Sequence, residues 1–227
     1  MMPSRSVLLC AGLILLPSPA VFANPVFVNN FSFETLPVPV SLHTANCIGA
    51  GCEYTIASEN AIPGWASSSP ADQGQFAPGA SSGNTTYYNS VPDGNWVAYA
   101  NAGNLTQSVG NVLANTMYTL TVSLGLRKDF PTLGSAELLI NGAAYTATGV
   151  IPSSGNWATY TATYSSITHP GDVGMPITIE LLSNGVQAGF DNVGLDAVTI
   201  PEAAPMALIG IGMIGLAVLL RKDRRHT

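Results

Sequence analysis

Two carboxylates carry the clearest chemical signal in this sequence. Asp191 shares alternation parity with Val193, Leu195 and Ala197, so a strand through them turns it toward an apolar face. A carboxylate there must be paired, hydrogen-bonded or bound to a metal, because an unpaired buried charge is costly or shifts its pKa. Between residues 24 and 199 the only basic residues are Arg127 and Lys128. Glu34, expected at the end of the first strand, is the natural companion. Two carboxylates plus main-chain carbonyls suit a structural calcium ion. The alternative is a carboxylate at a strand edge, capped by backbone N–H groups.

Cys47 and Cys52 have four residues between them. In an exported chain they read as a disulfide around a small loop, and no second Cys or His pair completes a zinc site. His43 and His169 lie in turn-rich surroundings outside any nucleophile motif and read as solvated loop residues. No Gly-x-Ser-x-Gly is present, and nothing among the acids selects a glycosidase pair. The expectation is therefore a chain that is not an enzyme. Trp65, Tyr87, Tyr88 and Phe130 could stack on sugar rings; packing is the competing use of each.

The elements that must position these residues are strands. Tyr118, Leu120, Val122 and Leu124 alternate with Thr119, Thr121 and Ser123. Ala136, Leu138 and Ile140 lead into Asn141-Gly142, a favoured hairpin turn. Ala158 to Tyr164 and Ile177 to Leu181 alternate likewise. No stretch shows a sustained helical period, so a β-sandwich is expected. The stretch from about Ile56 to Asn95, rich in Pro, Ser, Gly and Asn, reads as long loops over one end.

The ends read as addresses. Residues 1–23 pair a basic start with a short apolar run and small residues near Ala23, the pattern of a signal peptide. From Ala203 to Leu220 there are 18 uncharged residues, the minimum for a membrane span. The basic stop at 221–225 holds the C-terminus in the cytoplasm. Residues 24–199 make one domain of 176 residues, with two basic against eleven acidic residues, a net charge of −9. Such a body repels nucleic acid.

The motif at 200–205, with Pro201 and Glu202, then the apolar run at 203–220 and Arg224-Arg225, resembles the PEP-CTERM sorting tail. That resemblance implies processing by an exosortase-type enzyme, after transient anchoring in the inner membrane of a Gram-negative bacterium. The periplasm, cell surface or extracellular matrix is the expected destination. The body carries Asn30-Phe31-Ser32-Phe33-Glu34, Gly64-Trp65, Leu105-Thr106-Gln107, Tyr118-Thr119 and Phe190-Asp191-Asn192-Val193 in that order. This series resembles the galactose-binding-like jelly rolls, which include carbohydrate-binding modules. It implies an all-β jelly-roll sandwich and a structural calcium joining the first and last strands. The function expected is a non-catalytic envelope or matrix protein associated with exopolysaccharide. The alternatives are a carbohydrate-binding module with a defined glycan and, less favoured, a glycoside hydrolase.

Overall fold

The computed structural model describes residues 23–44, 52–78, 87–130 and 132–200. Nearly all of the expected signal peptide, Cys47, and the tail with Pro201, Glu202, its apolar run and its basic stop lie outside the described residues. Among the described residues no helix is long and apolar enough to cross a membrane.

The chain builds strands β1 (Ala23–Val26), β2 (His43–Thr44), β3 (Glu53–Tyr54), β4 (Ala66–Ser67), β5 (Gln73–Ala77), β6 (Val97–Ala100) and β7 (Asn104–Asn111). It continues with β8 (Thr116–Gly125), β9 (Ser135–Ile140), β10 (Ala143–Thr146), β11 (Trp157–Ser165), β12 (Pro176–Leu182) and β13 (Ala188–Thr199). The larger sheet runs β11-β8-β13-β6-β5-β3-β2, with β1 added alongside β13. The smaller runs β10-β9-β12-β7-β4, and among the described residues the strand pairings in both are antiparallel. The all-β sandwich expectation holds at this level.

The alternating residues do what their period requires. Tyr118, Leu120, Val122 and Leu124 of β8 meet Leu138, Ile140, Ile177, Ile179 and Leu181 of the smaller sheet in one buried core. At the β9–β10 turn, Asn141 and Gly142 have φ of +51° and +81°, the left-handed pair that a two-residue hairpin needs.

Three expectations are corrected. Glu34 does not end a strand: β1 stops at Val26, and Glu34 follows a turn closed by Phe33 N–H donating to Asn30 O. The stretch 56–95 is not all loop, since it contains β4 and β5, and β5 lies inside the larger sheet. Its sequence, Gln-Gly-Gln-Phe-Ala, hides the strand because the core-side residues are glutamines. Gln73 Nε2 donates to Ala102 O and Asn104 O, and Gln75 Nε2 donates to Phe33 O and Thr35 O. These bonds offset much of the cost of burying the amides, although Gln75 Oε1 has no partner among the described residues. The third correction concerns Asp191. A bulge between Asp191 and Gly194, with Asn192 at φ +47°, interrupts the alternation. Phe190 and Val193 therefore both enter the core, and Asp191 turns to the opposite, outer face of the larger sheet.

Gly74 is the tightest point of that sheet. A Cβ there would stand 1.9 Å from Thr55 O and 2.8 Å from Tyr99 Cε1. The close approach lets Thr55 N–H donate to Gln75 O and the Tyr99 hydroxyl donate to Thr55 O. Because the obstacle is backbone, it cannot swing aside. Gly74→Ala is expected to destabilise the body by about 2–3 kcal/mol, read as a lower urea midpoint. A midpoint equal to the parent's would show that the approach is not tight.

Candidate functional site

The outer face of the larger sheet carries an aromatic cluster of its own. Cys52, Phe76, Val97 and Tyr99 are buried there, with Tyr54, Tyr87, Val91 and Trp157 packed against them. Register explains the assembly. Tyr54 pairs with Phe76, Phe76 with Val97 and His43 with Tyr54, so one row crosses four strands. Phe190 pairs with Ala98 and Asp191 with Ser123, which continues the row through Asp191 to β8. Alternating positions of distant segments thus converge on one surface.

A cleft of about 380 Å³ opens on this face, lined by Thr44, Tyr54, Phe76, Tyr87, Tyr99, Asn101 and Gln187. Its rings meet edge to face: Phe76 and Tyr87 at 5.3 Å and 70°, Tyr54 and Tyr99 at 6.3 Å and 78°. Among the described residues no Asp, Glu, His, Lys or Arg lines it. Arg127 braces it from behind. That guanidinium is buried, holds Asp129 through two hydrogen bonds, and sits 4.2 Å from the centre of the Tyr87 ring. At the far rim His43 stacks on Tyr54 and its Nε2 lies 2.9 Å from Glu59 Oε2. The solvated-loop reading of His43 is replaced by this paired strand position. His169, expected in a loop, stacks on Tyr164 away from the cleft.

A second, more polar pit of about 370 Å³ lies on the same sheet, lined by Ser90, Pro92, Ser123, Asn156, Trp157, Ala158, Thr159 and Asn192. Tyr88 and Trp157 pack together at 4.5 Å over Gly125 and Gly189. A Cβ at Gly189 would stand 2.3 Å from the Tyr88 hydroxyl oxygen, so both glycines are needed as a flat floor. Burial pushes the Tyr88 and Tyr99 hydroxyls well above the ordinary phenol range. An apolar groove of about 420 Å³ beside β1, walled by Phe27, Val28, Phe31 and Leu195, holds little chemistry beyond Asp196.

The two carboxylates meet on one loop. Glu34 Oε1 accepts from Asn95 N–H at 2.8 Å and Trp96 N–H at 2.6 Å. Asp191, fully buried, accepts from Asp93 N–H at 3.0 Å and Asn192 N–H at 2.7 Å. Burial pushes the Asp191 carboxyl up to about 8, helped by the charges of Asp93 and Glu34 and opposed by the two N–H donors. Among the described residues no group of three or more His, Cys, Asp or Glu side chains could hold a metal ion.

The other expected site residues scatter. Trp65 is in the sandwich core against Phe33 at 5.3 Å, and Tyr88 is buried. Tyr87 lines the cleft, while Phe130, exposed, lies 5.5 Å from the Arg127 guanidinium. Cys52 is buried and disulfide-bonded beneath the cleft. Sequence reasoning missed Tyr54, Phe76, Tyr99, Trp157, Asn101 and Gln187. Only the aromatic at every second residue of a short strand could have flagged them, and β3, β5 and β6 are too short to show it.

Residues 24–196 match the model of a family described as HpiC1-like, HpiC1 cyclase. No curated protein matches the chain. The Stig cyclase Fisc from Fischerella sp. TAU, solved in complex with (3Z)-3-(1-methyl-2-pyrrolidinylidene)-3H-indole, is 24% identical, with a TM-score of 0.60 over 78% of this chain and 98% of that one. A cyclase from the same organism, in complex with 4-(1H-indol-3-yl)butan-2-one, is 23% identical, with a TM-score of 0.59 over 79% of this chain and all of that one. These likenesses support the fold. The family match overturns the expectation of a non-catalytic matrix protein tied to exopolysaccharide, and with it the carbohydrate-module alternative and the expectation of no enzyme.

The Asp191 environment gives a signed pH effect. Between its ordinary value of 3.8 and about 8 the folded state holds a proton that the unfolded state has lost. Stability therefore falls as pH rises through that window and levels off above it. Asp191→Asn keeps a neutral side chain. In chelator-containing buffer its melting temperature is expected to match the parent near pH 4 and exceed it at pH 8. Parallel melting curves for the two proteins across the window would refute the account.

Proposed function

Because the chain belongs to the HpiC1-like cyclase family, we propose that it closes a ring in a largely apolar aromatic substrate held in the outer-face cleft. One observation carries this reading: four aromatic side chains, and among the described residues no Asp, Glu, His, Lys or Arg, line a single cleft of substrate size. Such walls fold a flexible substrate into a reactive shape and exclude water from it. Their π-faces also favour positive charge that develops during ring closure. Tyr54 supplies a hydroxyl with no hydrogen-bond partner among the described residues, free to donate to a polarised group. The indole ligands of the two Fischerella cyclases support an indole as the aromatic body. The finer fold reading, a galactose-binding-like jelly roll, is supported by the strand order and the quoted motifs.

The test uses indoles bearing an unsaturated side chain. A cyclised product has the mass of its substrate and a new retention time, so liquid chromatography with mass detection reads it directly. Phe76→Ala and Tyr54→Ala are each expected to lower turnover by about tenfold or more. An untouched panel, or variants as active as the parent, would remove the cleft from the mechanism.

Calcium is proposed as a structural ion of the carboxylate pair. Glu34 Oε2 has no hydrogen-bond partner among the described residues, and Gly94 leaves space against that carboxylate, where a Cβ would fall 2.2 Å from Glu34 Cδ. Glu34 and Asp191 would form the anionic half of the site, and main-chain carbonyls the rest. The ion would cancel the repulsion between the two groups and tie the N-terminal turn to β13. Chelation is then expected to lower the melting temperature at pH 8, and Asp191→Ala to abolish that response. No calcium by elemental analysis, with melting indifferent to chelator, would leave Asp191 as a carboxyl satisfied by backbone donors alone.

A further inference from the structure

One end of the cleft is polar in a way that its aromatic walls do not explain. Ala188 pairs with Ala100, and the same register one position further out brings Gln187 opposite Asn101. Both residues line the cleft. Among the described residues neither side-chain amide has a hydrogen-bond partner. Gln187 is half-buried and Asn101 exposed, whereas the side-chain N–H groups of the buried Gln73 and Gln75 are engaged.

The backbone adds an independent observation. Gln187 has φ of +34°, in the region where residues with a Cβ are strained and glycine is at ease. Gly185, two residues earlier, has φ of +144° and meets the turn's needs with glycine. A glutamine held at a left-handed position, with its amide unpaired and lining a cleft, is a pattern of binding sites rather than of packing.

We infer that Asn101 and Gln187 determine specificity by hydrogen-bonding the polar end of the substrate, a planar heteroaromatic with a ring N–H and a nearby carbonyl-type acceptor. Each amide offers an oxygen that accepts from the ring N–H and an NH₂ that donates to the acceptor. The four rings enclose the flat body, and the paired amides set which end enters first. This inference rests on the reading of the cleft as the substrate site.

The probe is 4-(1H-indol-3-yl)butan-2-one, compared with its N-methylindole counterpart, titrated calorimetrically into the purified full-length chain. The ketone is expected to bind the parent protein about tenfold more tightly than the N-methyl compound. Asn101→Ala and Gln187→Gly are each expected to weaken the ketone by about the same factor, and the double variant to bind both compounds alike. Gln187→Gly also removes the backbone strain, so its melting temperature should equal or exceed the parent's. A merely structural glutamine would instead lower it. Variants that bind the ketone as the parent does, or a Gln187→Gly protein that melts earlier, overturn the inference and leave the cleft reading intact. A parent protein that binds neither compound overturns both.

Discussion

The loop Asp93–Trp96 is held by its own amide groups. Asp93 N–H reaches Asp191 on the last strand, while Asn95 and Trp96 N–H reach Glu34 after the first turn. Three segments far apart in the chain thus meet through two carboxylates. Bonds to an ionised carboxylate are about twice as strong as neutral ones. The same loop follows Tyr87 and Tyr88 and precedes β6, so its position sets where the cleft's outer wall stands. Burial nevertheless works against Asp191 carrying a charge and, outweighing the N–H donors, raises its carboxyl to about 8. An ion that favours the charged form would tip that balance and tighten the whole junction.

The outer face of the larger sheet has a division of labour. Gly125 and Gly189 form a flat floor under Tyr88 and Trp157, and that aromatic pair lies on the side of the sheet where the polar pit opens. Arg127, one of two basic residues in a body of net charge −9, is spent on bracing Tyr87 and binding Asp129 rather than on facing solvent. The cleft is left neutral within an acidic protein. A neutral aromatic cleft offers no charge to hold a phosphate.

Much of the fold was legible in the residues. Strict alternation marked β8, β9, β11 and β12, because one face of each meets the core. Asn141-Gly142 marked its hairpin because both residues tolerate left-handed backbone. Glu34 and Asp191 stood out because two cations cannot neutralise eleven acids, and the structure does bring them to one loop. Where the reading failed, a local rule met a nonlocal fact. Gln73 and Gln75 look like surface residues until the carbonyls that receive their amides are in place.

By itself, then, the sequence determined the all-β class and most of the long strands. Periodicity is a local property, and it survives in any fold that buries one face of a strand. Tertiary structure decided the rest. The bulge after Asp191 moved that carboxylate from the core to the outer face, a one-residue shift that alternation cannot announce. The cleft required Tyr54, Phe76, Tyr87, Tyr99, Asn101 and Gln187 to meet through the register of β3, β5, β6 and β13. Register across strands is fixed by packing among distant residues, so no window of sequence contains the site.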